Sequence, residues 1–259
     1  MKKLLAIMLC ATMAAGFVGC GKTEEKPQTE GETAAPTEKL IMATEAGFAP
    51  YEYVEGQDII GIDVDIANAI AKELNMELEI QDMDFTNALL AAQNGTASFA
   101  AAGISITEER LEKMDFTTEY AESKQVILVK DGSDVAETIV SEEEMIKTKI
   151  GVQQGTTADL VYNDGTNNVS AYKKYAVAAD DLKNGKIDCI VIDELPAKML
   201  VEKNPDLKIL DTELFTDKYA FAVQKGNTEL LEKLNEAINK LIEEGKIAEF
   251  TQAHMEKAL

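Results

Sequence analysis

From Leu40 onward, short β-like runs alternate with helical stretches, and this alternation restricts the fold more than any other feature of the chain. Leu40-Ile41-Met42-Ala43 reads as a first strand. Ile66, Ile70 and Leu74 then recur at helical spacing among the strong helix formers Ala67, Ala69 and Ala71. Leu78-Glu79-Ile80 reads as a second strand, after which Thr86 or Asn87 is placed to cap a helix running through Ala92 to Asn94-Gly95. Three further β-rich segments, Gln125–Val129, Lys149–Gln153 and Ile187–Ile192, are separated by helical stretches. The last helix, Thr228–Glu244, carries Leu231, Leu234, Ile238, Leu241 and Ile242 on one face and has Gly245 at its end. The expected body is an α/β protein with parallel sheets flanked by helices.

Ahead of this body, Lys2 and Lys3 precede an apolar run from Leu4 to Val18, then Gly19 and Cys20, the order of an export signal. The run is too short to span a bilayer comfortably. Residues 21–39 are rich in Glu, Thr, Pro and Lys and hold almost nothing that would enter a core. The expected division is a signal peptide at 1–19 and a lipidated, flexible tether at 20–39. Phe17-Val18-Gly19-Cys20 resembles the lipobox of bacterial lipoproteins, although Leu is more usual where Phe17 stands. The resemblance implies acylation of Cys20 and a lipid-anchored position on the extracytoplasmic face of the cell membrane. Of the other cysteines, Cys10 leaves with the signal, and Cys189 sits alone in an apolar run as a small buried hydrophobe rather than a nucleophile.

Composition narrows the function. With 47 Asp and Glu against 25 Lys and Arg, the formal net charge of −22 repels nucleic-acid phosphates, so nucleic acid is not an expected partner. The plainer meaning of that acidity is solubility of an exported, monomeric protein. His254 is the only histidine and lies near the C-terminus, which gives little support to histidine acid/base catalysis or a multi-histidine metal site. No Cys/His cluster, phosphate-cradling glycine loop or nucleophile elbow is present in the sequence. No catalytic residue, metal or cofactor is therefore assigned, and the chain reads as a binder rather than an enzyme.

Five motifs then take the reading further: ATEAGFAPYEY from Ala43, IGIDVDIANAIAKEL from Ile60, AAGISITEER from Ala101, IGVQQGTTADL from Ile150 and LKNGKIDCIVIDELPA from Leu182, with YAFAVQKGN from Tyr219 closing the set. In this order they resemble family 3 of the extracellular solute-binding proteins, the polar amino-acid binders. The resemblance implies a two-lobed, periplasmic-binding-protein-like α/β fold of type II, with two crossing hinge segments and a ligand cleft between the lobes. It places lobe one at 40–120 plus 219–259, lobe two at 125–217, and the hinge at 121–124 and 218. The implied partners are a free amino acid and the permease of an ABC transporter.

The resemblance also implies the ligand set. Arg110 matches the residue that grips an α-carboxylate, where a planar guanidinium offers two parallel charge-assisted hydrogen bonds; the plainer alternative is a surface ion pair with Glu108 or Glu109. Asp193 matches the acceptor of the α-ammonium, or else simply caps a following helix. Gly103 and Ser105 match the carbonyl and hydroxyl that share the ammonium, and the Thr157 amide a second carboxylate donor; Ser105 and Thr157 also suit turns. Phe48 and Phe85 match aromatic cleft walls, though either alone suits a core. Glu45 and Gln153 stand where the family places its side-chain selectors. A buried carboxylate at Glu45 favours a cationic or amide side chain, so arginine or lysine is the first choice and glutamine the next. The alternative is that Glu45 turns outward or pairs with a lysine.

Two departures from the family are visible: Ser98 where an aspartate is common, and EFTQAHMEKAL in place of an aromatic-rich C-terminus. Two other functions remain open on sequence grounds: a periplasmic dehydratase of cyclic dicarboxylate precursors, as some relatives of this fold are, and a ligand-sensing surface lipoprotein.

Overall fold

A computed structural model describes residues 38–258. The expected signal peptide, Cys20 and the tether through residue 37 lie outside the described residues. In chain order the first half comprises Lys39–Thr44 (β1), Gly47–Phe48 (β2), Glu52–Glu55 (β3), Asp58–Ile60 (β4), Ile62–Glu73 (α1), Glu77–Asp82 (β5), Phe85–Gln93 (α2), Phe99–Ala100 (β6), Glu108–Lys113 (α3) and Met114–Phe116 (β7). Then follow Ala121–Lys130 (β8), Asp134–Thr138 (α4), Glu142–Met145 (α5), Lys149–Gln153 (β9), Thr157–Tyr162 (α6), Asn168–Tyr172 (β10), Tyr175–Lys183 (α7), Cys189–Asp193 (β11), Glu194–Lys203 (α8), Leu207–Tyr219 (β12), Ala222–Gln224 (β13), Thr228–Glu243 (α9) and Lys246–Ala258 (α10).

Two five-stranded sheets organise these elements, in the orders β5-β1-β6-β13-β7 and β10-β9-β11-β8-β12. β1 runs parallel to β5 and β6, and β9 parallel to β10 and β11. The sheets are nevertheless mixed rather than parallel, because β13 returns antiparallel beside β6 and β7, and β8 lies antiparallel to both β11 and β12. A chain that leaves one sheet, builds another and comes back must enter and exit in opposite directions, so its two connecting strands pair antiparallel. Those connectors are β8 and β12, paired as Ala121 with Tyr219, Glu122 with Lys218, Ser123 with Asp217 and Lys124 with Thr216. Just before them the Tyr120 amide donates to the Tyr219 carbonyl at 2.9 Å. The result is the two-lobed, type II binding-protein fold.

Each sheet is covered by helices whose apolar faces follow from sequence period. Ile66 and Ile70 of α1 are buried against Leu40 and Met42 of β1 and against Leu234 and Ile238 of α9. Leu241 joins that buried face, but Ile242 is 41% exposed, one position past the inward stripe. Gly245 follows with φ 71, a left-handed conformation that costs a Cβ-bearing residue energy, and it ends α9. The cap of α2 also differs from expectation: Asp84 occupies it, not Thr86 or Asn87, and makes no side-chain cap bond. Its carboxylate instead pairs with Lys173 at 2.6 Å. Both departures from the family have structural partners. Ser98 Oγ accepts the Ile41 amide at 2.9 Å beside β1, and His254 in α10 reaches Tyr53 and Asp65 at 3.1 and 2.9 Å.

Candidate functional site

The carboxyl ends of the central strands, where open α/β sheets present their binding groups, meet at one place. β1 runs into Glu45, and β6 leads through Ala102 to Gly103 and Ser105. β9 ends on Gln153, and β11 on Asp193. These residues line a single narrow cavity together with Phe48, Phe85, Arg110 and Thr157. All nine residues singled out from the sequence thus surround the same space. Glu52, Ala102 and Thr156 line it too and carried no sequence signal of their own.

Arg110 lies on α3, whose start is fixed by the Thr107 side chain accepting the Arg110 amide at 3.2 Å. Its side chain does not go to the surface. Glu109 pairs with Lys113 instead, and the Arg110 guanidinium is buried, donating to the Ser105 carbonyl at 2.6 Å and the Gly155 carbonyl at 2.8 Å. Its Cζ stands 5.5 Å from the centre of the Phe85 ring, a cation–π distance. Burial lowers its pKa to about 10 against the opposing pull of Asp217, so it remains a cation at neutral pH. Two of its five N–H donors are engaged by backbone, which holds the fork and leaves donors for something else.

Asp193 both ends β11 and occupies the cap position of α8, yet its side chain makes no cap bond. It accepts the Tyr219 hydroxyl instead. Burial raises its pKa to about 6, with the Tyr219, Ser123 and Gln125 side chains working the other way. A neighbouring carboxylate, Asp217, is held by Gln125 Nε2 at 2.9 Å and the Thr157 hydroxyl at 2.7 Å, which anchors the first residue of α6. Gly103 has φ 54, and a Cβ there would lie 2.8 Å from the Phe48 ring, so only glycine lets the backbone approach the aromatic wall. Phe48 itself stacks on Tyr51 and Tyr175 at centroid distances of 5.8 and 5.9 Å. Phe48 and Phe85 are therefore both core residues and cavity walls.

Glu45 does not turn outward: it is 2% exposed and accepts Gln153 Nε2 at 3.0 Å. A lysine does attend it. Lys174 Nζ lies 3.2 Å from the other carboxylate oxygen, within ion-pair range. Burial raises the Glu45 pKa, while Gln153 and Lys174 work to lower it. Beside it, Glu52 is fully buried; no donor reaches either of its carboxyl oxygens among the described residues, and the Asp63 carboxyl is its hydrogen-bonding neighbour. The cavity wall thus carries three carboxyl groups, Glu45, Glu52 and Asp193, and one guanidinium.

Two lobes joined by paired strands, closing on a cavity lined by one fixed cation and three acids, define a protein that clasps a small charged solute. The sequence model of the bacterial extracellular solute-binding proteins, family 3, matches residues 40–257, and the chain belongs to that family. It is 32% identical to a probable histidine-binding protein of Neisseria gonorrhoeae over 95% of this chain and 92% of that one. Its structure resembles an amino-acid ABC transporter substrate-binding protein from Streptococcus pneumoniae bound to L-arginine, with TM-score 0.80 and 36% identity, covering 85% of this chain and 95% of the other. It also resembles an ancestral arginine-binding protein bound to glutamine, with TM-score 0.77 and 35% identity, covering 83% and 97%.

Proposed function

We propose that this protein is the substrate-capturing component of an amino-acid ABC importer, held outside the cell by lipid on Cys20, and that it clasps a cationic amino acid, arginine before lysine, with glutamine next. Arg110 and the Thr157 amide take the α-carboxylate. Asp193, the Ser105 hydroxyl and the Gly103 carbonyl take the α-ammonium. Phe48 and Phe85 flank the side chain, and Glu45 with Gln153 meets its far end. The lobes divide at residues 121–124 and 218; ligand settles first on Arg110, and Asp193 arrives as the cleft closes.

The observation that carries this reading is the charge of the cavity wall, three carboxyl groups to one guanidinium. A neutral zwitterion satisfies Arg110 and one acid, and leaves Glu45 to Lys174 and Gln153 alone and Glu52 with no cation. A second positive charge on the ligand supplies one. Glutamine is the runner-up because Lys174 and Gln153 already attend Glu45, which moderates its demand for a full cation. Calorimetric titration of protein unfolded and refolded to strip carried-over ligand, against arginine, lysine, histidine, glutamine, glutamate, cystine and leucine, tests this. Arginine is expected to bind tightest; tightest binding by glutamate or leucine refutes the assignment.

A further inference from the structure

We propose that Glu52 is a second selector for the cationic end of the ligand, buried as the neutral acid before ligand arrives and giving up its proton to solvent when a guanidinium is captured. The inference rests on the cationic-ligand reading above and extends it to a residue given no role in the ligand set read from the sequence.

The geometry carries it. Glu52 opens β3, lines the cavity with Phe48 and Gly103, and is 0% exposed, with no donor to either oxygen among the described residues and the Asp63 carboxyl as its hydrogen-bonding neighbour. A buried carboxylate without a donor is too costly to stay charged, whereas the protonated acid is tolerated and can later ionise against an incoming cation. Its surroundings reinforce the point from every side. Asp63 on α1 is already committed, with Tyr120 donating to one oxygen at 2.6 Å and the Gly103 amide to the other at 3.0 Å. Glu45 after β1 and Asp193 at the end of β11 add negative charge, and Tyr51 and Tyr120 are uncharged hydroxyls. The cations of the region are directed elsewhere: Lys174 to Glu45, and Arg110 to the Ser105 and Gly155 carbonyls. Burial first, then the charges of Asp63 and Glu45, hold the Glu52 carboxyl well above its usual range. Asp63 and Glu45 lie, like Glu52, within the 40–120 segment assigned to lobe one, so this crowding of acids exists before the second lobe swings in.

Two carboxylates in one wall suit a planar group with donors on both edges, which arginine offers and lysine does not. Binding then releases a proton: the Glu52 O–H bond breaks, the proton passes to buffer, and the carboxylate accepts N–H donors from the ligand.

Titration of refolded protein with arginine at pH 6 and 7, in buffers of differing ionisation enthalpy, reads the number of protons exchanged. Arginine is expected to release about one proton more than a neutral ligand does, with affinity rising as pH rises through this range. Citrulline, the neutral isostere, is expected to bind more weakly and to release about one proton fewer than arginine, since any proton that Asp193 gives up on pairing with the α-ammonium is common to both. Glu52→Gln is expected to remove that extra proton and to weaken arginine binding by at least about tenfold. Arginine binding with no proton exchange, release by citrulline equal to that by arginine, or release unchanged in a folded Glu52→Gln overturns the inference alone. Failure to bind any amino acid sinks the functional reading with it. Should Glu52→Gln not fold, the comparison of arginine with citrulline on the unaltered protein decides.

Discussion

Arg110 is the residue whose surroundings say most about its chemistry. The Ser105 carbonyl at 2.6 Å orients the guanidinium from its own side of the cleft, and the Gly155 carbonyl at 2.8 Å holds it from the other. Lysine at this position keeps the charge but has neither the planar fork nor enough donors to hold both carbonyls and grip a carboxylate. Arg110→Lys is therefore expected to weaken amino-acid binding by about 1.5–3 kcal/mol without unfolding the protein, read by calorimetry beside a circular-dichroism melt. Glu45→Gln separates the two leading ligands: it is expected to lower arginine affinity while leaving glutamine affinity within a few-fold, measured in the same titrations. Glu45 was visible in sequence because it ends a β-like run within a recognisable motif. Glu52 falls in the same motif but was not, since an acid in Glu52-Tyr53-Val54-Glu55 looks like any solvent-facing strand residue. Its burial arises only because β3 pairs with β2 through Phe48 and lies near Asp63 of α1.

The helices and strands divide by how local their causes are. Thr228–Glu243 was legible almost to the residue because its apolar period and the Gly245 that ends it are written within one stretch of chain, and the structure adds Asn227 as its cap. The Asn227 side chain accepts the Leu230 amide at 3.4 Å, and Leu234 is fully buried. Leu234→Ala is expected to cost about 2–5 kcal/mol in urea unfolding through lost burial and a residual cavity, and Asn227→Ala only about 0.5–2 kcal/mol. An equal cost for both is the outcome that contradicts this account. The cap of α2 was misread because Asp84, the true cap residue, spends its carboxylate on Lys173, a partner 89 residues away that no local pattern reveals. The long connectors β8 and β12 were seen only as one short β-rich segment. Their pairing depends on residues nearly a hundred positions apart.

For the molecule as a whole, charge and buried acids act in the same direction. Burial raises both Asp63 and Asp193 to about 6, above their ordinary value of 3.8. The folded state therefore holds these protons more tightly than the unfolded chain. The associated stability is fully present below about pH 4 and lost as pH rises through about 6. Acidification also relieves the self-repulsion of a chain with net charge −22. Opposing this, Glu79, Glu109, Asp115 and Glu229 are held below their ordinary values by lysine partners and forfeit those contacts at low pH. The melting temperature of ligand-free protein is expected to rise from pH 7.5 toward about pH 5.5; a steady fall over that interval contradicts the assignment of these protons. Membrane attachment is a separate property of the chain's N-terminal region: Cys20→Ser, expressed in a bacterial host, is expected to move the protein to the soluble fraction, and unchanged membrane association rejects the lipid anchor.

The amino-acid order by itself determined the α/β class, the family, and a set of nine positions that the fold gathers around one cavity, because strand-end glycines, an arginine after a Gly-x-Ser turn and an acid closing an apolar strand are local patterns tied to local geometry. Tertiary structure alone decided how those groups are charged and who attends them. It buried Glu52, brought Lys174 beside Glu45, turned Asp193 from helix cap to partner of Tyr219, and turned parallel sheets into mixed ones. The physical reason is the same in each case: desolvation and pairing depend on which distant segments pack together, and a carboxyl group carries no mark in sequence of whether water will reach it.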